Sequence, residues 1–280
     1  MPPHGTNSPC PAERYRARRR LAPLRRCERR RHRRPARQRH VLPRYVAQLR
    51  RHPRVPGRHL GLGPHGVLES HKQAAVGDID GDGYDDVVTS AWWGGSSGDE
   101  LGGSITTYFG GNEGIRTDPV QTIHQDTPGV PGADETSDYF GYALSLGDIN
   151  GDGLADAAVS AHHESTGTAS LTGSVTVFRG TPAGLSTSDA KTFQQDTAGV
   201  PGGNEDNDHF GSSVRLSDLN GDHHADLSIG ADGENAGDGA LWSLRGSSSG
   251  VTTKKAVSFG ASSAGLSTSG YPHFGEGMLR

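Results

Sequence analysis

Disulfides cannot brace most of this 280-residue chain, because its only two cysteines, Cys10 and Cys27, both lie near the N-terminus. Their absence elsewhere says little about redox compartment. Hydrophobic residues make up only 31% of the chain and aromatic residues 6%, which is under the globular norm and excludes a helical bundle. No apolar run approaches the roughly 18 residues that a membrane-crossing helix needs. Lysine is missing from the first 60 residues altogether. What is abundant is glycine, at 42 residues. That composition suits many short strands joined by tight turns.

The net charge of −4 averages two polymers of different character. Residues 1–60 carry 19 Arg against Glu13 and Glu28 alone, a surplus of 17 positive charges that leaves −21 for the rest. The triplets Arg18-Arg19-Arg20 and Arg29-Arg30-Arg31 are punctuated by Pro11, Pro23 and Pro35. So few apolar residues cannot bury a core, and the segment is expected to be disordered in isolation. Three readings are open. A basic arm would neutralise nucleic-acid phosphates, but it would want Lys and interleaved aromatics. A transit peptide would be Arg-rich too, but would want Ser and an amphipathic apolar face. Wrong-frame translation of an Ala-rich, GC-rich signal-peptide region gives Arg, Pro and His, and is preferred. A nucleic-acid partner is disfavoured by the −21 remainder.

Within that acidic remainder, three nine-residue loops recur at a fixed 70-residue spacing: Asp78–Asp86, Asp148–Asp156 and Asp218–Asp226. Each has Asp or Asn at positions one, three and five and Asp at position nine. Alternate residues of a tight loop point inward, so short oxygen-bearing side chains converge on one hard cation. With the position-seven carbonyl and a water, the set reaches about 6–7 ligands, which suits calcium. A helix–loop–helix calcium hand would need Glu at position twelve, where Thr89, Val159 and Ile229 stand instead. A plain Asp-Gly turn would not need four acidic or amide residues in register.

The repeat extends past these loops. Gln125–Gly132 recurs as Gln195–Gly202, and Phe140-Gly141 and Phe210-Gly211 each precede an acidic loop by eight residues; Phe274-Gly275 opens a further unit. The middle unit reads as four strands over 142–146, 157–161, 174–178 and 191–194, from period-two patterning and Gly or Pro boundaries. Four antiparallel strands make one blade of a β-propeller, which must stack on its neighbours. The expected organisation is an Arg/Pro-rich segment 1–60, a junction 61–72 and repeats over 73–280. The units run 73–139, 140–209 and 210–273, with a stub at 274–280.

The stretch from Phe140 to Ala161 resembles an FG-GAP repeat, as found in the integrin α-subunit propeller and in many secreted bacterial proteins. The resemblance covers about residues 73–280. It implies an all-β propeller, usually seven-bladed, with calcium in the acidic loops, an extracellular location, and a protein or carbohydrate ligand on one propeller face. Carried over position by position, the implied ligands are Asp78, Asp80, Asp82, Tyr84 (carbonyl) and Asp86. The second loop contributes Asp148, Asn150, Asp152, Leu154 (carbonyl) and Asp156. The third contributes Asp218, Asn220, Asp222, His224 (carbonyl) and Asp226. The sequence departs from the pattern in three ways. The Gly-Ala-Pro element is replaced by Ser90-Ala91-Trp92, Ser160-Ala161-His162 and Gly230-Ala231-Asp232. His223 stands where the third loop wants Gly, which ranks that site weakest. Three units and a stub do not close a seven-bladed ring, so a longer parent protein is expected.

No nucleophile, base and orienting acid stand out together. His162-His163, His223-His224, His124 and His209 read as isolated, and stretch 94–98 as a loop without a phosphate-cradling signature. Trp92-Trp93 fit either a sugar-stacking platform or, preferably, one interface Trp and one rim Trp. The leading reading is a binding or adhesion scaffold. The alternative is an accessory propeller of a secreted hydrolase, because such repeats also resemble the propeller of glycosylphosphatidylinositol-specific phospholipase D.

Overall fold

Short runs of β-branched and small residues between glycine turns leave each repeat one regular solution, an antiparallel sheet with one residue in two facing a neighbour. The computed structural model describes residues 73–93 and 102–278, all within the unit Pro64–Arg280. The Arg-rich segment 1–60, the junction 61–72 and the glycine-rich stretch 94–98 lie outside the described residues. Among the described residues, twelve strands form three four-stranded antiparallel sheets in sequential order. The first blade holds β1 (Ala74–Gly77), β2 (Asp86–Ala91), β3 (Ser104–Tyr108) and β4 (Gln121–Ile123). The second holds β5 (Phe140–Gly147), β6 (Asp156–Ala161), β7 (Ser174–Thr181) and β8 (Gly184–Phe193). The third holds β9 (Phe210–Ser217), β10 (Asp226–Ala231), β11 (Ala240–Arg245) and β12 (Thr252–Gly260). Among the described residues the segment Glu234–Gly237 makes a tight turn rather than regular helix, with Asn235 and Ala236 at φ of 53° and 60°.

These are the expected four strands per unit, but the outer pair of the middle unit is longer than the pattern suggests. Thr181 pairs with Gly184 across a two-residue turn, and β8 runs ten residues. Its half-buried to exposed 186–189 stretch is polar, so alternation there is invisible in hydropathy while the strand continues.

The core lies between blades rather than inside them. Phe140, which opens the second blade, is fully buried among Val88, Ile105 and Ile123 of the first, and meets Phe178 edge-on at 6.3 Å. Phe210 repeats this one blade on, against Val175, Phe193 and Trp242. Burying one such ring is worth about 1.5–3 kcal/mol. The glycine after each Phe brings the backbones together. Gly141 and Gly211 take φ of 93° and 98°, and a Cβ on either would sit 2.8 Å from the Cβ of Ser90 or Ser160 in the preceding blade. Ser90, Ser160 and Gly230, the first residues of the altered Gly-Ala-Pro elements, therefore stay small for packing. The Phe140 N–H donates to the Gly102 carbonyl, and Phe210 N–H to Thr172.

Gly173 meets Phe210 at this seam. A Cβ there would lie 2.2 Å from the Phe210 carbonyl oxygen, with φ already at +83°. Gly167, at φ +65°, has open space around it. Gly167→Ala is expected to cost about 1–2 kcal/mol from backbone strain alone. Gly173→Ala should cost clearly more, because the obstacle is backbone; urea denaturation of both variants checks the difference. Equal costs would mean that the seam does not hold the blades.

Candidate metal centres

Each acidic loop joins the first strand of a blade to the second, and its conformation is set by its own carboxylates. In the first loop the Asp78 carboxylate accepts the N–H groups of Gly81 and Gly83, Asp80 accepts Asp82 N–H, and Asp82 accepts Tyr84 N–H. The second loop repeats this with Asp148 on Gly151, Asp152 and Gly153, Asn150 on Asp152 and Asp152 on Leu154. In the third, Asp218 takes Gly221, Asp222 and His223, and Asp222 takes His224. The His223 N–H, first among these bonds, holds the Asp218 carboxyl below its ordinary range.

Position nine is different. Asp86, Asp156 and Asp226 are at most 3% exposed, and both oxygens of each accept backbone N–H groups. One comes from position two of the same loop (Ile79, Ile149 or Leu219), and the other from a glycine at or just past the end of the third strand (Gly110, Gly180 or Gly246). Burial pushes the Asp156 carboxyl up to about 6, against the bonds from Gly180 and Ile149. These aspartates tie the loop, the second strand and the exit of the third strand together.

In the first loop, ligand oxygens of Asp78, Asp80 and Asp82 all lie within 4.8 Å of one another. Burial and then the charges of Asp86, Asp82 and Asp78 raise the Asp80 carboxyl, with the Asp82 N–H opposing. In the second loop, Asn150 bridges to Asp152 through a 2.8 Å amide bond. In the third, Asn220 turns instead to Asp226, at 3.2 Å and 3.4 Å. His223 there takes φ +67°, a conformation the other loops give to Gly83 and Gly153. The position-seven side chains of Leu154 and His224 lie over Gly81 and Gly151 of the preceding loop. A backbone ladder joins the loops, with Ala155 N–H bonded to the Asp78 carbonyl and Ala225 N–H to Asp148, each at 2.7 Å.

At the other end of the same strands is a ribbon of rings whose members look like separate residues in the sequence. Exposed Trp93 stacks on Tyr139 at 5.5 Å, and half-buried Trp92 meets Tyr139 and Tyr142 edge-on. Tyr139 contacts His163 at 4.5 Å, and His163 contacts His209 at 5.1 Å. His209 Nδ1 then lies 3.3 Å from Asp232, so His209 is not isolated. Tyr142 covers His162 at 3.6 Å. Burial, and then His163 and His209, push the His162 imidazole down to about 2, so it serves as a neutral ring at ordinary pH. The signal was in the repeat: positions 92, 162 and 232, and positions 139 and 209, are 70 residues apart.

The FG-GAP repeat family matches residues 73–107, 140–178 and 210–244, each match starting at or beside the first strand of a blade. The chain carries three FG-GAP repeats. It is similar to integrin alpha-PS5 of Drosophila melanogaster, at 31% identity over 148 residues. It is also similar to integrin alpha pat-2 of Caenorhabditis briggsae, at 32% over 111, and to human integrin alpha-IIb, at 34% over 90. These alignments cover 52%, 39% and 32% of this chain but only 14%, 8% and 8% of the relatives. The FG-GAP repeats of this chain thus have integrin-alpha-like sequence in three propeller-type blades. No helix among the described residues is long and apolar enough to cross a membrane.

The two kinds of loop aspartate should separate experimentally. Asp156→Ala leaves the buried Ile149 and Gly180 N–H groups without acceptors and is expected to cost about 2–5 kcal/mol, with or without calcium. Asp152→Ala, at an exposed position, should cost little in chelator and show its deficit once calcium is added. Parallel denaturation curves in EDTA and in calcium read both.

Proposed function

We propose that this chain is a calcium-stabilised, extracellular binding scaffold of integrin-α-like FG-GAP blades, with the cation held in the three acidic loops. The observation that carries the reading is the convergence of the Asp78, Asp80 and Asp82 carboxylates within 4.8 Å. The donor set is all oxygen, which fits a hard cation, and loop backbone bonds position it beforehand. The first loop would hold calcium through Asp78, Asp80 and Asp82 with the Tyr84 carbonyl. The second would use Asp148, Asn150, Asp152 and the Leu154 carbonyl. The third, Asp218, Asn220, Asp222 and the His224 carbonyl, would be weakest because Asn220 points elsewhere. The position-nine aspartates Asp86, Asp156 and Asp226 would add a remaining lone pair. Bound calcium cancels repulsion among the carboxylates and fixes each strand connection; its role is structural. A protein or carbohydrate partner would engage the opposite end of the blades, where Trp93 and the rings behind it are presented. Extracellular placement draws on the integrin resemblance, and an accessory role beside a catalytic domain would use the same scaffold.

Calcium is expected to raise the melting temperature of the 280-residue chain, and a chelator to reverse the rise. A site occupied at a hundredfold excess over its dissociation constant contributes about 2.7 kcal/mol, or roughly 5–10 °C for a domain of this size. The double variant Asp148→Ala/Asp152→Ala should lose one loop's share. An unchanged melting temperature in millimolar calcium would refute calcium binding by the loops.

A further inference from the structure

A second set of oxygens repeats with the blades but lies away from the acidic loops. Gln125 follows the last strand of the first blade, Glu135 and Asp138 lie on the connection to the second, and Glu164 follows β6 of the second blade. Ligand oxygens of Glu135, Asp138 and Glu164 lie within 4.8 Å of one another. Asp138 is only 6% exposed. Asp138 is buried and Glu164 half-buried beside exposed Glu135, and carboxylates this close repel, most where water is excluded, unless a proton or a cation joins them. The strongest charges acting on Asp138 are acidic too. Burial first, then Glu164, push its carboxyl up to about 8, with Glu135 adding to the rise against a bond from the Glu135 N–H.

An independent observation points to what is missing. Gln125 is 3% exposed, and its amide enters the cluster, donating through Nε2 to Glu164 Oε2. Its carbonyl oxygen Oε1 is buried and has no hydrogen-bond partner. An orphaned amide oxygen inside a protein costs about 1–3 kcal/mol. The chain approaches closely here: a Cβ on Gly102 would lie 2.4 Å from Asp134 Oδ1, 2.7 Å from the Glu135 carbonyl oxygen and 3.5 Å from Gln125 Oε1. The unpartnered Gln125 Oε1 and the carboxylates of Glu135, Asp138 and Glu164 are oxygen donors of the kind a hard divalent cation takes, and the Gln125 amide is joined to the carboxylate group through Glu164. The arrangement recurs less completely at the following seam. Gln195, at 1% exposure, donates to Glu234 and has the same orphaned Oε1, while Asp208 accepts the Glu205 N–H.

We propose that the seam between the first and second blades binds a divalent cation of the calcium type through Gln125, Glu135, Asp138 and Glu164, a site separate from the acidic loops. Such a cation ties the connection between two blades to the β6–β7 turn of the second, so it staples neighbours where the loop sites staple hairpins. Gln195, Glu205, Asp208 and Glu234 form its looser copy at the next seam.

The experiment measures melting temperatures of the full chain in EDTA and in millimolar calcium chloride. It compares the wild type with Glu164→Gln, Asp138→Asn and the loop variant Asp148→Asn/Asp152→Asn. Each seam variant keeps the side chain's shape while removing a carboxyl that folding leaves either charged beside its neighbours or holding a proton it would shed in water. Glu164→Gln and Asp138→Asn are therefore expected to melt above the wild type in EDTA, and to gain less from calcium by about 3 °C or more. The loop variant should lose a different, additive share. Seam variants with the full wild-type calcium shift would overturn the seam site and leave the loop sites standing. A calcium shift lost only in the seam variants would do the reverse. Seam variants that melt below the wild type in EDTA, or do not fold, would also overturn the proposal, because the carboxylates would then act through hydrogen bonds alone.

Discussion

The structure hangs on a buried carboxylate repeated three times. Removing an aspartate from water is costly unless each oxygen is met, and Asp86, Asp156 and Asp226 meet that condition with backbone N–H groups from two directions. One bond fixes where the acidic loop begins, and the other fixes how the third strand leaves the sheet. Strand pairing and loop shape are consequently one decision. The position-one aspartates extend the same logic, using amides of positions four and six to hold the residues that a cation would need. The convergence of side-chain oxygens in the loops is a by-product of satisfying the chain's own donors.

Between blades, the governing constraint is distance. The apolar clusters are shared by consecutive sheets, so a single repeat exposes most of what it should bury. Close approach is obtained by removing side chains: Gly141 and Gly211 face serines, and Gly173 faces a backbone carbonyl. The two chemically distinctive regions then fall at opposite ends of the same strands. Acidic loops sit where the first strand of a blade gives way to the second. The aromatic and histidine ribbon sits where the first strand starts and the second ends. Rigidity and presentation are thereby separated along each strand.

Much of this was legible because the repeat prints each role at a fixed interval. Four strands per unit, the acidic loops and the Phe-Gly starts follow from periodicity and turn residues alone. The dual bonding of Asp156 was not legible, since its second partner, Gly180, is 24 residues away and carries no side chain to mark it. The length of β8 was hidden by polar residues on an exposed edge. The ribbon from Trp93 to Asp232 escaped because its members change type between units, Trp to His to Asp. A search for identical residues passes over them, although their spacing is the same 70. Gln125 and Gln195 were visible as a repeated motif, but burial alone turns their amide oxygens into a chemical question.

The ladder that runs from loop to loop bears on how such a chain grows. The second repeat offers the Ala155 N–H backward to Asp78 and the Asp148 carbonyl forward to Ala225. Its Phe140 fills the unit before it, and its Gly173 receives the Phe of the unit after. Every joint is thus encoded as a matching pair inside one stretch of 70 residues. Copying that stretch in the gene adds a plug and a socket together, so the lengthened chain inherits compatible joints from its first generation.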